Sequence, residues 1–568
     1  MKLIRVVGLP VFFVLLSSLP ARAQSWTAKL DKDINFYQPT EMGVLIAGTE
    51  KSLYAIDAST GDTLWRRKDV SLDETDVAPV PGTDLLLLSF EKGDKARIEA
   101  VDILTGDTIW RSEKIKGAVM HTSVDTANNL LAVVLAKDAK SHARDGFKRR
   151  PLLHVLDLAT GDELWKYDIS EVEMMPARWP EDSGKDVDYT LDNYYPPAFI
   201  DGRLYVFYEG VTSFDARNGK ERLREKYRVN EDGLALTEAE PIFTESTIYV
   251  SGHGRVRAIS RQTGDTEWEA KDLGLTPEMV LVGDVLYVRT GGQFTRLKDG
   301  ETIERGSYGV SAIDVRSGKV LWRYKGGDKG ITNLVMLDRE MIAFADSDDL
   351  IFIDASNGKA RKKERHKIER ASFVTLNESN NIVIGGQSEI AAFDSVSGWQ
   401  LWRARHTPPG RGVLRTVAAI AARAASLYFR FGGPAMTAFR WYGLLSRSSF
   451  SNLQALATAS NRRQRSTGFK RFGIARRVQD RIDPSRQLDR LSRFLWHRER
   501  LATLQGQWMY FYTDLDRGGN GLAGVNINNG RTDREIRLSD LDQRFVTDEV
   551  LGAMFTASGN RLFSHGLH

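Results

Sequence analysis

Short runs of alternating apolar and polar residues, each closed by a turn signal, recur along most of the chain. The clearest is Ser52-Leu53-Tyr54-Ala55-Ile56, which meets Asp57; the alternation resumes beyond the turn as Thr63-Leu64-Trp65. Alternation of period two predicts half-buried strands, and two such runs around an Asp/Gly turn predict a hairpin. The turn has a fixed grammar: small residue, apolar residue, Asp, three residues, Gly, three residues, Trp. It stands at Asp57/Gly61/Trp65, Asp102/Gly106/Trp110, Asp157/Gly161/Trp165, Ser260/Gly264/Trp268, Asp314/Gly318/Trp322 and Asp394/Gly398/Trp402. Three further copies keep the Gly and lose the Trp: Asp215/Gly219/Leu223, Asp354/Gly358/Lys362 and Asn526/Gly530/Arg534. The Asp or Asn is expected to bond backbone amides two residues on, and the Gly to supply a positive φ. The Trp is expected to cover the small residue of a neighbouring unit, with its indole N–H on a carbonyl.

One hairpin cannot bury its own apolar face, so the units must stack. Their spacing of 40 to 58 residues up to Asp394 suits four-stranded blades. The expected fold is all-β: a single large β-propeller of about eight to ten blades, with an α-helical segment inserted near the C-terminus. Trp26 to Leu30 and Phe555 to Gly566 are expected to pair and close the ring. The repeat resembles that of the pyrroloquinoline-quinone propellers, the tryptophan-docking blades of quinoprotein dehydrogenases. The same repeat serves non-enzymatic proteins, among them the propeller subunit of the outer-membrane β-barrel assembly machine. The resemblance spans about 24–406 and 505–568 and implies the fold more specifically than the activity. Family propellers usually have eight blades, whereas nine turn motifs stand here.

Residues 1–23 read as a signal peptide: Lys2 and Arg5, an apolar stretch from Val6 to Leu19, then Ala21-Arg22-Ala23 as a cleavage site. The expectation is an exported protein, periplasmic or secreted. The sequence has no cysteine, so a lipid-anchored thiol and disulfides are excluded. The net charge of +4 is unevenly placed. Residues 407–504 hold 19 Lys and Arg against four acids, while the remainder holds 60 against 71. The four parts are thus a signal peptide (1–23), propeller blades (24–406), a basic Arg/Ala-rich helical insertion (407–504) and the final blade or blades with ring closure (505–568). In the insertion, Arg415, Arg423 and Arg430 fall on one stripe of an otherwise apolar helix, and Trp441 belongs to an aromatic group suited to a headgroup boundary. These four residues are candidates for contact with a partner or membrane. Decoration packed on the acidic propeller is the competing reading, and nucleic acid is not expected for an exported chain. Lys137 to Arg150 reads as an exposed basic loop, Met174 to Pro197 as a long approach to the fourth unit, and Gly291 to Gly306 as a loop insertion.

The chemistry scan yields no catalytic residue. The nine histidines lack metal-ligand spacing, and Asp514 to Gly521 departs from the order of a calcium loop. Asp346 to Asp349 reads as another polar hairpin loop. The dehydrogenases of the resembled family carry a vicinal cysteine pair that this chain cannot form. The favoured expectation is therefore an exported, non-catalytic scaffold of the cell envelope that binds an envelope protein or an anionic membrane surface, with no cofactor. The alternative is a dehydrogenase of alcohols or sugars that depends on pyrroloquinoline quinone and calcium.

Overall fold

The computed structural model describes residues 25–406 and 502–567, apart from 41, 81–82, 138–139, 142–146, 177–186, 192–193, 209, 227–238, 240, 296–301, 328–329, 370, 372, 387, 506–507, 516–518, 539–544 and 549–550. Among the described residues the alternating runs form ten antiparallel blades. In the first, Ile34–Pro39, Val44–Thr49, Ser52–Asp57 and Thr63–Lys68 pair in chain order. Eight more follow over 77–111, 118–168, 198–226, 242–270, 278–325, 335–365, 373–405 and 502–537. The tenth takes Phe545–Asp548, Ala553–Ser558 and Arg561–Gly566 from the end of the chain and Thr27–Lys29 from its beginning. The register there is Thr27 opposite Phe563 and Lys29 opposite Arg561, so the two ends close the ring as the sequence predicts.

Burial orders each blade. The second and third strands are buried almost throughout, as in Val44–Thr49 and Ser52–Asp57, because both faces meet neighbouring blades. First strands of adjacent blades approach one another around the axis, Ile34–Pro39 with Phe545–Asp548 and Ala118–Asp125 with Ala198–Ile200. Fourth strands form the rim and alternate between exposed and half-buried positions, as Thr63–Lys68 and Gln400–Arg405 do.

Three sequence readings are corrected by the pairing. The loop predicted over Lys137 to Arg150 contributes strands Lys140–Ser141 and Phe147–Arg149. These pair with Val187–Thr190 and Val172–Pro176 from the approach to blade four, making an eleventh, accessory sheet. The expected insertion around Gly291 to Gly306 is an extension of one hairpin: Val285–Thr295 and Thr302–Asp314 stay paired across a bulge at Thr290/Gly292. Finally, Ala502–Gln505 is the first strand of blade nine, although the sequence reading runs the helical insertion to 504 and so claims 502–504 for it. The rest of that insertion, residues 407–501, and the signal peptide lie outside the described residues.

Candidate functional site

The repeated turn is the best-defined constellation. In blade one the Asp57 carboxylate accepts the Ser59 and Thr60 amides at 2.8 and 3.2 Å, and the Gly61 amide donates to the Asp57 carbonyl at 2.8 Å. Gly61 takes φ +82°, which glycine reaches without a Cβ penalty. Asp102, Asp157, Asp314 and Asp394 repeat the arrangement, and Asn526 and Ser260 substitute their own side-chain oxygens. Each turn-flanking strand pair also carries a bulge. Ala55 faces Trp65 while Ile56 faces Thr63, so Leu64 is the extra residue and projects outward.

The bulge aims the Trp at the next blade. Trp65 donates its indole N–H to the Ile103 carbonyl at 2.8 Å and lies against Gly106, where an added Cβ would be 2.7 Å from the ring. The same step joins Trp110 to Leu158 and Gly161, Trp165 to Ala216 and Gly219, Trp268 to Val315 and Gly318, and Trp322 to Ala355 and Gly358. Trp402 lies in the same way against Gly530. The Trp therefore covers the glycine of the next turn, and the small residue faces it from its own blade. That corrects the expectation that the small residue belongs to the neighbouring unit.

Gly264 shows what this correction changes. The sequence sets it in a complete copy of the motif, beside Trp268, yet Trp268 serves Gly318 one blade on. The blade before Gly264 carries Leu223, opposite Ser213, at the place of the docking residue, so blade four has no indole to lay over it. Gly264 still shapes its own turn, with φ +85° and its amide donating to the Ser260 carbonyl at 2.9 Å. A motif complete in sequence thus does not lay its own Trp on its own glycine. Trp26, assigned by sequence only to ring closure, is a further docking residue, bonded to the Ala58 carbonyl at 3.1 Å and lying on Gly61.

Toward the axis, polar side chains fasten successive blades. The ion pair of Glu278 and Arg289, each 4% exposed, is 3.1 Å across. Its carboxylate also accepts the Leu334 amide, and its guanidinium donates to the Ile331 carbonyl at 3.0 Å, tying blade six to blade seven. Asn333 makes two 2.9 Å bonds to the Val374 backbone of blade eight. Gln38 donates to Val77 of blade two at 3.0 Å, and His121 of blade three meets the Tyr208 hydroxyl of blade four at 2.6 Å. The sequence does not single these groups out, because nothing in the motif marks a lone polar residue between blades.

The other candidates fall as follows. His154 meets Glu163 at 2.6 Å, His406 meets Thr532 at 3.0 Å, and His366 donates to the Asp346 carbonyl at 3.1 Å while accepting the Ile368 amide at 2.9 Å. Burial holds the His366 imidazole below its ordinary value of 6.5. Asp346 accepts the Asp348 and Asp349 amides, as a hairpin loop does. In the calcium-like stretch, 516–518 lie outside the described residues, as do Arg415, Arg423, Arg430 and Trp441. Among the described residues no three His, Asp or Glu side chains converge as a metal site, and no helix is long and apolar enough to cross a membrane.

The family model described as outer membrane protein assembly factor BamB matches residues 18–178, 195–305 and 306–443, more than half of the chain. No curated protein matches the sequence. Three solved structures are similar in part. The computationally designed Ika8 protein has 15% identity and a TM-score of 0.32, covering 63% of this chain and 94% of its own. BamB from Moraxella catarrhalis has 15% identity and a TM-score of 0.32, covering 66% and 97%. Quinohemoprotein alcohol dehydrogenase from Comamonas testosteroni has 12% identity and a TM-score of 0.30, covering 72% and 81%.

Proposed function

The chain belongs to the family of the outer membrane protein assembly factor BamB, and from that premise we propose that it is an exported, non-catalytic propeller that binds a protein of the cell envelope during outer-membrane protein assembly. The observation that carries this reading is the use made of the repeat. Its Asp, Gly and Trp residues are taken up in building turns and joining blades, as Asp57, Gly61 and Trp65 show. They give the resemblance to quinone enzymes a structural cause that requires no cofactor. A large rigid ring bearing an accessory sheet from two separate loops suits a platform, since binding residues concentrate on loops held by a rigid scaffold.

The test is site-specific photo-crosslinking in the native envelope, with the cross-linker at Arg149 or Lys148 on the accessory sheet and, as control, at Lys68 on the rim. The proposal expects a discrete cross-linked envelope protein from the accessory sheet. Adducts no different from the Lys68 control would count against it. Export predicts a mature N-terminus at Gln24, read by mass spectrometry. Contact of Arg415, Arg423, Arg430 and Trp441 with an anionic surface is tested by liposome cosedimentation with and without 407–501. The deletion stops before Ala502–Gln505 so that blade nine stays whole.

A further inference from the structure

Nine turns of the same construction allow each to be compared with the others. Five residues after the opening Asp, Asn or Ser stands a charged residue in eight of them: Asp62, Asp107, Asp162, Lys220, Asp265, Lys319, Lys359 and Arg531. In blade eight that place is Trp399, and it is 73% exposed. Docking on blade nine is already supplied by Trp402, so no blade contact explains a second indole here. Val396 in the same turn is 87% exposed and Leu401 on the adjoining strand 51%. The turn holds its shape: the Asp394 carboxylate accepts the Val396 and Ser397 amides at 3.1 and 2.6 Å, and the Trp399 amide donates to the Ser397 hydroxyl at 3.3 Å. These side chains are therefore presented on a firm hairpin.

The rim beside the turn is basic. On blade eight Leu401, Arg403 and Arg405 share the exposed row. At the equivalent places stand Arg361, Lys363 and Arg365 on blade seven, and Leu321, Arg323 and Lys325 on blade six. The arc is bounded on both sides, by Glu267 and Glu269 on blade five and by Asp533 and Glu535 on blade nine. Arg361 and Arg403 share their charge with Asp354 and Glu389, whereas Arg323 donates to the neutral carbonyls of Lys271 and Asp272. The carboxylates of the two hairpins are also engaged: Glu364 by Lys362 at 3.2 Å and Asp394 by its turn amides.

Exposed Trp and aliphatic residues at one end of a surface whose remainder is Lys and Arg match the chemistry of a lipid interface: indole at the headgroup boundary, cations on phosphates. We propose that the rim of blades six to eight docks on an anionic lipid surface, with Val396 and Trp399 as the inserting tip and the Arg/Lys rows on the headgroups. This deepens the envelope reading, on which it rests, by naming a surface distinct from the accessory sheet.

The experiment uses the full chain with phosphatidylglycerol-containing vesicles and with pure phosphatidylcholine vesicles. The double variant Val396→Ser/Trp399→Asp installs the residues that blade one carries at Ser59 and Asp62, so the turn is expected to fold; an unchanged Tm confirms it. The expected result is salt-sensitive binding to anionic vesicles, weakened about tenfold by that variant. Arg365→Glu/Arg405→Glu should erase the preference for anionic lipid. Three results would overturn the proposal: no vesicle binding by the wild type, equal binding by the tip variant, or a tip variant that changes oligomeric state or a protein cross-link while lipid binding persists. If vesicle binding fails while the accessory sheet still cross-links to an envelope protein, the lipid face falls and the scaffold reading stands.

Discussion

A methyl group added at Gly161 would lie 2.3 Å from the Trp110 ring, in a turn whose φ is +78°. Both faults act together, so Gly161→Ala should cost about 2 kcal/mol or more. Trp110→Ala, which leaves a void between blades two and three, should cost about 3–5 kcal/mol. Gly398 is the internal comparison. Lys362 replaces the indole over it, and an added Cβ would first meet the flexible Glu364 side chain at 2.9 Å. Gly398→Ala should therefore lose about 1 kcal/mol, chiefly from the backbone. Urea unfolding of the three variants checks the ranking; equal losses at both glycines would show that the ring contact contributes nothing. Two titrating groups also act at this scale. Burial depresses the His366 imidazole, so the folded state binds fewer protons than the unfolded one. Stability should then fall as pH drops below about 6.5 and level off beneath the depressed value. His366→Asn should flatten that slope; parallel slopes would contradict the assignment. Asp31 works lower on the scale. Burial alone would raise it, but bonds from Ser52, Thr49 and Tyr54 and the charge of Arg66 prevail and leave it at about 2. Its contribution is present above 3.8 and is lost as pH falls toward 2. The measurement is Tm against pH in wild type and Asp31→Asn, which should converge at the acid end.

At the scale of elements, legibility followed how local the signal is. The hairpin around Asp57 could be read because its two strands, turn and docking residue lie within one short stretch of sequence. Which glycine each Trp covers could not, because that contact crosses to the next blade; Gly264 and Trp268 are neighbours in sequence and serve different joints. Trp26 could not be read as a docking residue, because the strand it accompanies pairs with Arg561–Gly566 at the other end of the chain and no hairpin turn precedes it. The accessory sheet escaped for the same reason. Phe147–Arg149 is three residues long and finds its partner, Val172–Pro176, only after a complete hairpin of blade three has intervened. The extension of Val285–Thr295 reads as a loop in sequence because glycines at 291, 292 and 306 suggest turns, whereas Gly291 sits beside the bulge that keeps the ladder running. The blade-joining groups Glu278, Asn333 and Gln38 carry no spacing at all and appear only once blades stand side by side.

For the whole molecule, the ring is held by a succession of one-blade steps and sealed once. Thr27–Lys29 completes blade ten, Trp26 docks on blade one, and the Asn560 side chain donates to the Leu30 carbonyl at 3.1 Å. Removing residues 25–29 should open an edge strand and lower Tm more than Trp26→Ala alone, with a broadened transition in calorimetry. An unchanged, sharp transition would contradict the closure. The larger question is whether such a ring is a platform or an enzyme. The direct test is titration of the purified, full-length protein with pyrroloquinoline quinone and calcium, followed by absorbance and by dye-coupled oxidation of alcohols and sugars. A non-catalytic scaffold predicts no saturable uptake and no turnover. One-to-one binding accompanied by turnover would contradict it and make this propeller a quinone enzyme built without the cysteine pair.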